Sequence, residues 1–251
     1  MKKIITGENI IKSFGTGDEK FNALDGVSVE IAEGEFVAVM GPSGSGKSTL
    51  MFALSGMDCL DSGTVLFDDN QLSAMSETEL ANLRRKSMGF VFQQPTLLKN
   101  LSILDNIILP AMRDNRKNAA SIMARAKELM KKVGIEELEN RNITQASGGQ
   151  LQRAGICRAL MSKPKVIFGD EPTGALNSKS AGEIMDIFSA VNAEGTAVVL
   201  VTHDPKVAAQ AERILFMRDG RIASEMRLER SESDMDSRMR KVTEKMQEIE
   251  I

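Results

Sequence analysis

Residues 41–49 form a glycine-rich segment, Gly-Pro-Ser-Gly-Ser-Gly-Lys-Ser-Thr, directly after the apolar run Phe36–Met40. Glycines let consecutive backbone N–H groups converge on a phosphate, and a helix that begins in the loop adds favourable partial charge. In such a loop Lys47 reaches the β- and γ-phosphates of a nucleotide, and the Ser48 hydroxyl takes a Mg²⁺ position. The predicted nucleotide-binding residues are Gly41, Ser43, Gly44, Ser45, Gly46, Lys47, Ser48 and Thr49.

Two adjacent carboxylates, Asp170 and Glu171, follow a second apolar run, Val166-Ile167-Phe168. Asp170 is predicted to hold the Mg²⁺ through water, and Glu171 is the candidate base that polarises the attacking water. The alternative for this pair is a solvated loop.

The single histidine, His203, follows a third apolar run at residues 197–201. Ligands of α/β proteins bind at the carboxyl ends of the strands. His203 is therefore predicted to hydrogen-bond the γ-phosphate, with a purely structural histidine as the alternative.

A second glycine-bearing segment consists of Ser147, Gly148, Gly149 and Gln150, which stands 20 positions before Asp170. A Ser-Gly-Gly run that opens a helix is another phosphate cradle, because its N–H groups can approach an anion. As an isolated tetrapeptide it would be an ordinary loop. This chain would then have one complete phosphate site and one half of a second. Such an arrangement suggests that two copies of the chain complete each other's sites.

Composition restricts the classes of function. The 251 residues suit one large domain, or one domain with a subdomain, and the net charge of −3 provides no overall field that would attract nucleic acid. No apolar run approaches the roughly 18 residues that cross a bilayer, and no signal-peptide segment is expected. Cys59 and Cys157 have no metal-binding spacing, which favours two free thiols in a cytosolic protein.

The predicted elements alternate between strands and helices. Residues 4–40 have strand patterns, a helix is expected from Lys47 to about Leu54, and another covers roughly 179–191. Residues from about 95 to 162 are predicted to be mainly helical. Continuous apolar runs are typical of parallel strands covered on both faces. The pattern predicts an α/β core with a helical insertion.

These segments, in this order and up to about residue 225, resemble the ATP-binding cassette of ABC transporters. The resemblance assigns Walker A to residues 41–49, the Q-loop to Gln93, the signature to residues 146–150, Walker B to Val166–Asp170, the D-loop to residues 175–177, the switch to His203 and adenine stacking to Phe14. It implies a P-loop NTPase fold with a RecA-like core, an antiparallel β subdomain and an α-helical subdomain. Gln93 is then expected both at the metal and in the catalytic group.

The resemblance also implies ATP and Mg²⁺ as ligands, and a homodimer with ATP sandwiched between the two chains. Residues 76–94 and 101–107 resemble the lipoprotein-releasing, macrolide-export and cell-division group, and residues 174–179 resemble its antimicrobial-peptide exporters. Two positions depart from the family pattern: Ala146 replaces the usual Leu of the signature, and Asn177 replaces the usual Asp of the D-loop. The second departure puts the coupling between the two sites in doubt.

The expected function is that of an ATPase subunit at the cytoplasmic face of the cell membrane, peripheral to separate membrane-spanning permease subunits. It would drive the export or extraction of an antimicrobial peptide, a lipoprotein or a drug. Residues 95–110 would form much of the surface that grips the permease. One alternative is a non-transport membrane complex of the cell-division type; another is a soluble ABC ATPase that acts on ribosomes or DNA.

The predicted division places the nucleotide-binding domain at residues 1–225, with its helical subdomain at about 95–162, and a helical tail at 226–251. In the tail, five apolar residues recur at helical spacing: Met235, Met239, Val242, Met246 and Ile249. A frayed, solvated helix is one interpretation, since two heptads are too short to hold a coiled coil alone. The other is that the stripe docks on the cassette body, the twin chain or the membrane subunit.

Overall fold

The computed structural model describes residues 2–113, 116–229 and 234–250. Its strands are β1 (Lys3–Phe14), β2 (Phe21–Ala32), β3 (Phe36–Met40), β4 (Ser62–Phe67), β5 (Asn70–Gln71), β6 (Met88–Phe92), β7 (Val166–Asp170), β8 (Ala197–Thr202), β9 (Arg213–Arg218) and β10 (Arg221–Arg227). Its α-helices are α1 (Lys47–Leu54), α2 (Glu77–Ser87), α3 (Ile103–Met112), α4 (Ala119–Lys132), α5 (Gly148–Leu160), α6 (Ser178–Ala193), α7 (Pro205–Ala208) and α8 (Met235–Glu248).

The central sheet has the strand order β10-β9-β3-β8-β7-β6. The five strands from β9 to β6 are parallel, and β10 returns antiparallel beside β9. The apolar run of β3 divides between two cores: Ala38 and Met40 pack with the helices on one face, while Val37 and Val39 pack on the other. Burial on both faces explains why this strand is apolar throughout rather than alternating.

A second sheet, with the order β2-β1-β4-β5, is antiparallel. Its apolar side chains share a buried cluster with α1 and one face of the central sheet. The opposite face carries the other cluster, to which α3, α4, α5 and α6 contribute. The predicted α/β core, antiparallel sheet and mainly helical insertion are therefore confirmed.

Helix α4 is held by its apolar stripe. Ala126, Leu129 and Met130 are buried in the cluster beneath the helices. The helix ends at Lys132, and Gly134 follows in the left-handed conformation with φ of 68°. A glycine is favoured here because a Cβ would strain that conformation.

The C-terminal helix α8 packs on the body of the chain. Val242 is fully buried, and the other four residues of the methionine-rich stripe contact the same apolar cluster. The solvated-helix interpretation is therefore wrong, and docking on the cassette body is confirmed. Strand β10 continues to Arg227, so the predicted limit after residue 225 falls inside a strand. Residues 230–233 and 251 of the predicted tail lie outside the described residues.

Arg238 fixes α8 to the loop after α7. The guanidinium is 6% exposed and donates hydrogen bonds to the carbonyl oxygens of Ala209 (2.7 Å), Ala211 (2.7 Å) and Glu229 (2.8 Å). A buried guanidinium needs such acceptors because removing a charge from water is costly. The sequence stripe identified the apolar contacts of this helix but not its polar anchor.

Candidate active site

The glycine-rich loop spans the gap between the end of β3 and the start of α1 at Lys47. Gly46 is the N-cap of α1, with φ of 97°, and an added Cβ would lie 2.2 Å from the carbonyl oxygen of Ala23. Only glycine combines this backbone conformation with such a close approach. The loop is therefore locked against β2 of the antiparallel sheet.

Two polar side chains of the loop, those of Ser45 and Lys47, are at least partly buried. Ser45 is 3% exposed, and its hydroxyl has no hydrogen-bond partner in the described part of the chain. Lys47 donates from Nζ to the carbonyl oxygen of Pro42 at 2.7 Å. Burial lowers the pKa of the Lys47 ammonium, and the nearby charges of Glu171 and Asp170 oppose that shift. A lysine ammonium held partly out of water in a glycine-rich loop fits an anionic ligand.

Ser48 and Asp170 meet at the carboxyl end of β7. The Ser48 hydroxyl donates to Oδ1 of Asp170 at 2.9 Å, although 122 positions separate the two residues in sequence. Burial raises the pKa of Asp170 and the charge of Glu171 adds to the increase, while the Ser48 hydrogen bond and Lys47 oppose it. Two hard oxygen atoms in contact, one of them anionic, match the ligand preference of Mg²⁺.

Glu171 has an unusual backbone and a fully engaged carboxylate. Its φ is 47°, in the left-handed region that a glutamate adopts only under constraint. Oε1 accepts from the backbone N–H of His203 at 3.1 Å and lies 2.7 Å from Nδ1 of the same ring. Oε2 accepts from the Thr202 hydroxyl at 3.3 Å. Together these contacts fix the direction of the carboxylate.

His203 presents its other nitrogen outward. An ionised carboxylate only accepts hydrogen bonds, so the tautomer that matches such a partner at 2.7 Å has its proton on Nδ1. The side chain is 72% exposed, so Nε2 remains accessible to a ligand at this edge of the sheet. The structure thus brings His203 to Glu171, whereas the sequence predicted only that both stand at strand ends.

Gln93 follows β6, whose last residue Phe92 pairs with Asp170 on the adjacent strand β7. The Gln93 side chain lies over Gly174, where an added Cβ would come within 2.9 Å of its amide nitrogen. Gln93 is therefore next to the strand end that carries the two carboxylates. Its contact in this structure is with Gly174.

Phe14 ends β1 and faces Phe21 at the start of β2. Their ring centroids are 6.2 Å apart, and Nζ of Lys12 lies 5.4 Å from the centre of the Phe14 ring. Both rings are exposed, at 41% and 58%. Since β2 also abuts the loop at Gly46, this aromatic pair belongs to the sheet that borders the phosphate loop.

The predicted second cradle lies at the start of α5. Ser147 is the N-cap and forms a capping box with Gln150. The Ser147 hydroxyl accepts from the backbone N–H of Gln150, and the Gln150 side-chain oxygen accepts from the backbone N–H of Ser147. An added Cβ on Gly149 would lie 3.1 Å from Oγ of Ser180, so this helix start packs against the first turn of α6. Among the described hydrogen bonds none joins residues 147–150 to the loop at 41–49 of the same chain.

The two departures from the family pattern have local structural roles. Asn177 is the N-cap of α6, and its side-chain oxygen accepts from the backbone N–H of Ser180 at 2.9 Å. Asn and Asp cap helices about equally well. Ala146 packs at the margin of the cluster beneath the helices.

Three contributors to the site carried no usable signal in the sequence. Thr202 orients Glu171, and Phe21 completes the aromatic pair, but neither stands in a recognisable pattern. Gln152 lies in the middle of a helix, where a glutamine ordinarily faces solvent, yet it is 1% exposed. Strand pairing and helix packing decide these contacts, so local spacing could not reveal them.

Comparison with known proteins decides the family. Residues 24–174 match a family model described as ABC transporter. The chain belongs to the ABC transporter family. An uncharacterized ABC transporter ATP-binding protein of Methanocaldococcus jannaschii is 44% identical over 87% of this chain and 97% of its own length.

Two relatives have names that state a transport activity. The bacitracin export ATP-binding protein BceA of Halalkalibacterium halodurans is 39% identical over 89% of this chain and 88% of its own length. The macrolide export ATP-binding/permease protein MacB of Pasteurella multocida is 41% identical over 88% of this chain but only 34% of its own length. The resemblance to the macrolide-export and bacitracin-type groups is confirmed.

Solved structures of ABC cassettes share the fold. A dimeric ATP-binding cassette in a post-hydrolysis state, bound to ADP and Pi, is 38% identical with a TM-score of 0.82, over 90% of this chain and 99% of that one. This ABC protein is therefore an ATPase. Within residues 2–113, 116–229 and 234–250, no helix has both the length and the apolar character that a membrane span requires.

Proposed function

We propose that this ABC protein is a peripheral ATPase subunit on the cytoplasmic face of the membrane, and that it drives export through separate permease subunits. The observation that carries the proposal is the convergence of Lys47, Ser48, Asp170, Glu171 and His203 at one edge of the central sheet. Relatives named for bacitracin and macrolide export support an antimicrobial peptide or a drug as the substrate class.

Each side chain has a role in hydrolysis. The glycine loop with Ser43, Gly44 and Thr49 binds the phosphates, and Lys47 neutralises the β- and γ-phosphates. Glu171 polarises the attacking water, because its carboxylate is fixed by Thr202 and by two contacts with His203. Nε2 of His203 hydrogen-bonds the γ-phosphate. Phe14 stacks on the adenine ring.

The oxygen atoms of Ser48 and Asp170 fit a magnesium ion, with Gln93 as the further ligand that the family pattern implies. Bound there, Mg²⁺ would neutralise charge that develops on the phosphates during hydrolysis.

Two chains complete each site. The capped start of α5 at Ser147, Gly148, Gly149 and Gln150 provides N–H groups and a positive helix end. The same chain's glycine loop does not bond to it, so its ligand is the ATP held by a second copy. ATP then contacts both chains only in the closed dimer, and hydrolysis favours reopening. Dimeric cassettes among the structural neighbours support this arrangement.

The permease-binding surface expected at residues 95–110 remains a proposal, and we extend it to a groove of about 820 Å³ between β6, α2 and the helical region, which Pro110 of that range lines. It is lined by apolar side chains, among them Phe90 and Phe92, and by basic ones, among them Arg84 and Arg158. A cytoplasmic helix with apolar and acidic residues fits such a groove. Phe92 of the groove directly precedes Gln93, so a permease helix bound there would contact the strand that ends next to the active site.

The proposal is tested with the membrane protein that co-purifies with this chain in mild detergent. We expect the reconstituted pair to hydrolyse ATP faster when the transported substrate is present. Met57 is 39% exposed in the groove, whereas Met123 is 40% exposed and does not line it. Met57→Asp should weaken permease binding and leave ATP binding intact, while Met123→Asp should change neither. Equal effects of the two substitutions would contradict the assignment of the groove.

A further inference from the structure

Gln152 lies in the second turn of α5, five positions after the N-cap Ser147. Its side chain is 1% exposed. The amide nitrogen Nε2 donates two hydrogen bonds, to the carbonyl oxygen of Phe92 at 2.9 Å and to that of Pro172 at 2.8 Å. The Gln152 amide therefore joins helix α5 to Phe92 and to Pro172, which are 60 and 20 positions away from Gln152 in sequence.

The two carbonyl groups belong to the neighbours of active-site residues. Phe92 directly precedes Gln93, and Pro172 directly follows Glu171. Glu171 has a left-handed φ of 47°, which persists only where surrounding contacts determine it. Gln93 in turn rests on Gly174, two residues beyond Pro172. The amide of Gln152 thus bonds to both of the segments that carry Gln93 and Glu171.

We propose that Gln152 is a positioning residue for ATP hydrolysis, which makes the geometry of Glu171 and Gln93 depend on the position of helix α5. The inference rests on the proposed roles of those two residues. Because α5 begins with the segment that contacts ATP on the partner chain, closure of the dimer is transmitted through Gln152 to the water-activating carboxylate. Neither carbonyl group belongs to the phosphate loop, so the affinity of that loop for ATP in the absence of magnesium does not depend on Gln152.

A purely structural role would give a different pattern of defects. Loss of a buried amide leaves two carbonyl groups without a donor, which lowers stability wherever it occurs. A positioning role lowers kcat in addition, because small displacements of a catalytic group reduce the rate strongly. The comparison therefore needs a side-chain amide that is at least half-buried and has the same bonding pattern at a site remote from the chemistry.

Asn192 provides that control. Its Nδ2 donates to the carbonyl oxygens of Gly34 at 2.9 Å and Thr196 at 3.0 Å. Gly34 and Thr196 precede β3 and β8, so they lie at the amino ends of these strands, whereas the active site lies at the carboxyl ends. Gln152→Met and Asn192→Leu each remove the donors and keep a side chain of similar size.

The experiment measures kcat, the Kd for ATP, the unfolding midpoint and amide hydrogen exchange in the intact chain. We expect both variants to lose stability. Gln152→Met should lower kcat by about 10- to 100-fold, with Kd for ATP within about twofold. It should also speed exchange at the amides of residues 93 and 94, and at the non-proline amides of residues 171–176. Asn192→Leu should retain the wild-type kcat. If Gln152→Met does not fold, Gln152→Glu keeps the shape and replaces the donor by an acceptor.

A kcat for the Gln152 variant no lower than that of the Asn192 variant would overturn the inference, as would a parallel loss of ATP affinity. Wild-type turnover in the same assay tests the proposed function separately. Hydrogen exchange does not require turnover. Unchanged exchange at residues 171–176 would by itself show that Gln152 does not hold the turn.

Discussion

Nδ1 of His203 lies 2.7 Å from Oε1 of Glu171, and the backbone N–H of the same histidine donates to that oxygen at 3.1 Å. The residue predicted to contact the γ-phosphate thus also orients the residue predicted to activate water. Binding at Nε2 and the direction of the carboxylate are coupled through one imidazole ring.

Glu171→Gln should retain ATP binding and reduce turnover by at least ~100-fold, because an amide cannot accept the proton of the attacking water. ATP should then accumulate in a stable dimer. Steady-state turnover and equilibrium ATP binding, measured on the same preparation, check the result. Lys47→Ala is the contrasting variant, since it should weaken nucleotide binding itself. Turnover near the wild-type value in Glu171→Gln would sink the assignment.

Asp170→Asn should raise the unfolding temperature at pH 7 in solutions without nucleotide and magnesium. The folded-state pKa of Asp170 is above its ordinary value of 3.8, so the folded chain binds the proton more tightly than the unfolded chain. Stability is therefore lost as the pH rises through the raised pKa, and the carboxylate is destabilising at neutral pH. Asparagine removes this penalty and can still accept from Ser48.

The stability gain of Asp170→Asn should disappear below about pH 4, where aspartate is protonated in both states. Magnesium-dependent turnover should be lost at every pH. Glu137→Gln, an exposed carboxylate on a surface turn, is the control and should leave the unfolding temperature unchanged. A lower unfolding temperature for Asp170→Asn at pH 7 would contradict the electrostatic argument.

Dimerisation should require ATP, because each site lacks its second half without the partner chain. Sedimentation at micromolar protein concentration should show a monomer without nucleotide, and a dimer for Glu171→Gln with ATP. Ser147→Arg should prevent the dimer without weakening ATP binding to the monomer, since it places a bulky cation at the start of α5. A tight dimer that is independent of nucleotide would mean that another interface dominates.

Arg238→Met should lower the free energy of unfolding by about 2–4 kcal/mol, because three buried carbonyl groups lose a charged donor. Arg240→Met, an exposed position on the same helix, should change it little. Denaturant titration measures both. Deletion of residues 234–251 should destabilise the chain further by exposing the apolar cluster around Val242. Unfolding curves that match the wild type would show that α8 is dispensable.

Local rules in the sequence were sufficient for much of the site. The glycine loop between an apolar strand and a helix identified Lys47 and Ser48, because the close approach of backbone to a ligand or carbonyl demands glycine at fixed spacing. Asp170 and Glu171 were recognised because they end an apolar strand. The capping box between Ser147 and Gln150 is likewise a short-range pattern with a physical cause.

For the C-terminal tail, local sequence patterns were not sufficient to predict the structure. The spacing of its methionines predicted a helix with one apolar face, but a stripe of that length is compatible with either a solvated or a docked helix. Val242 is buried because the loop after α7 and strand β10 provide an apolar surface and acceptors for Arg238. The spacing of apolar residues along a helix does not show what packs against its apolar face.

By itself, the sequence determined the residues that bind phosphate, the strand ends that carry the carboxylates and the family to which they belong. Only the tertiary structure decided that Ser48 meets Asp170, that His203 holds Glu171 and that Gln152 joins two turns. Motifs are set by backbone geometry within a few residues, so they can be recognised from the sequence alone. Contacts between motifs depend on the order and register of parallel strands, which only the packing of the whole sheet fixes.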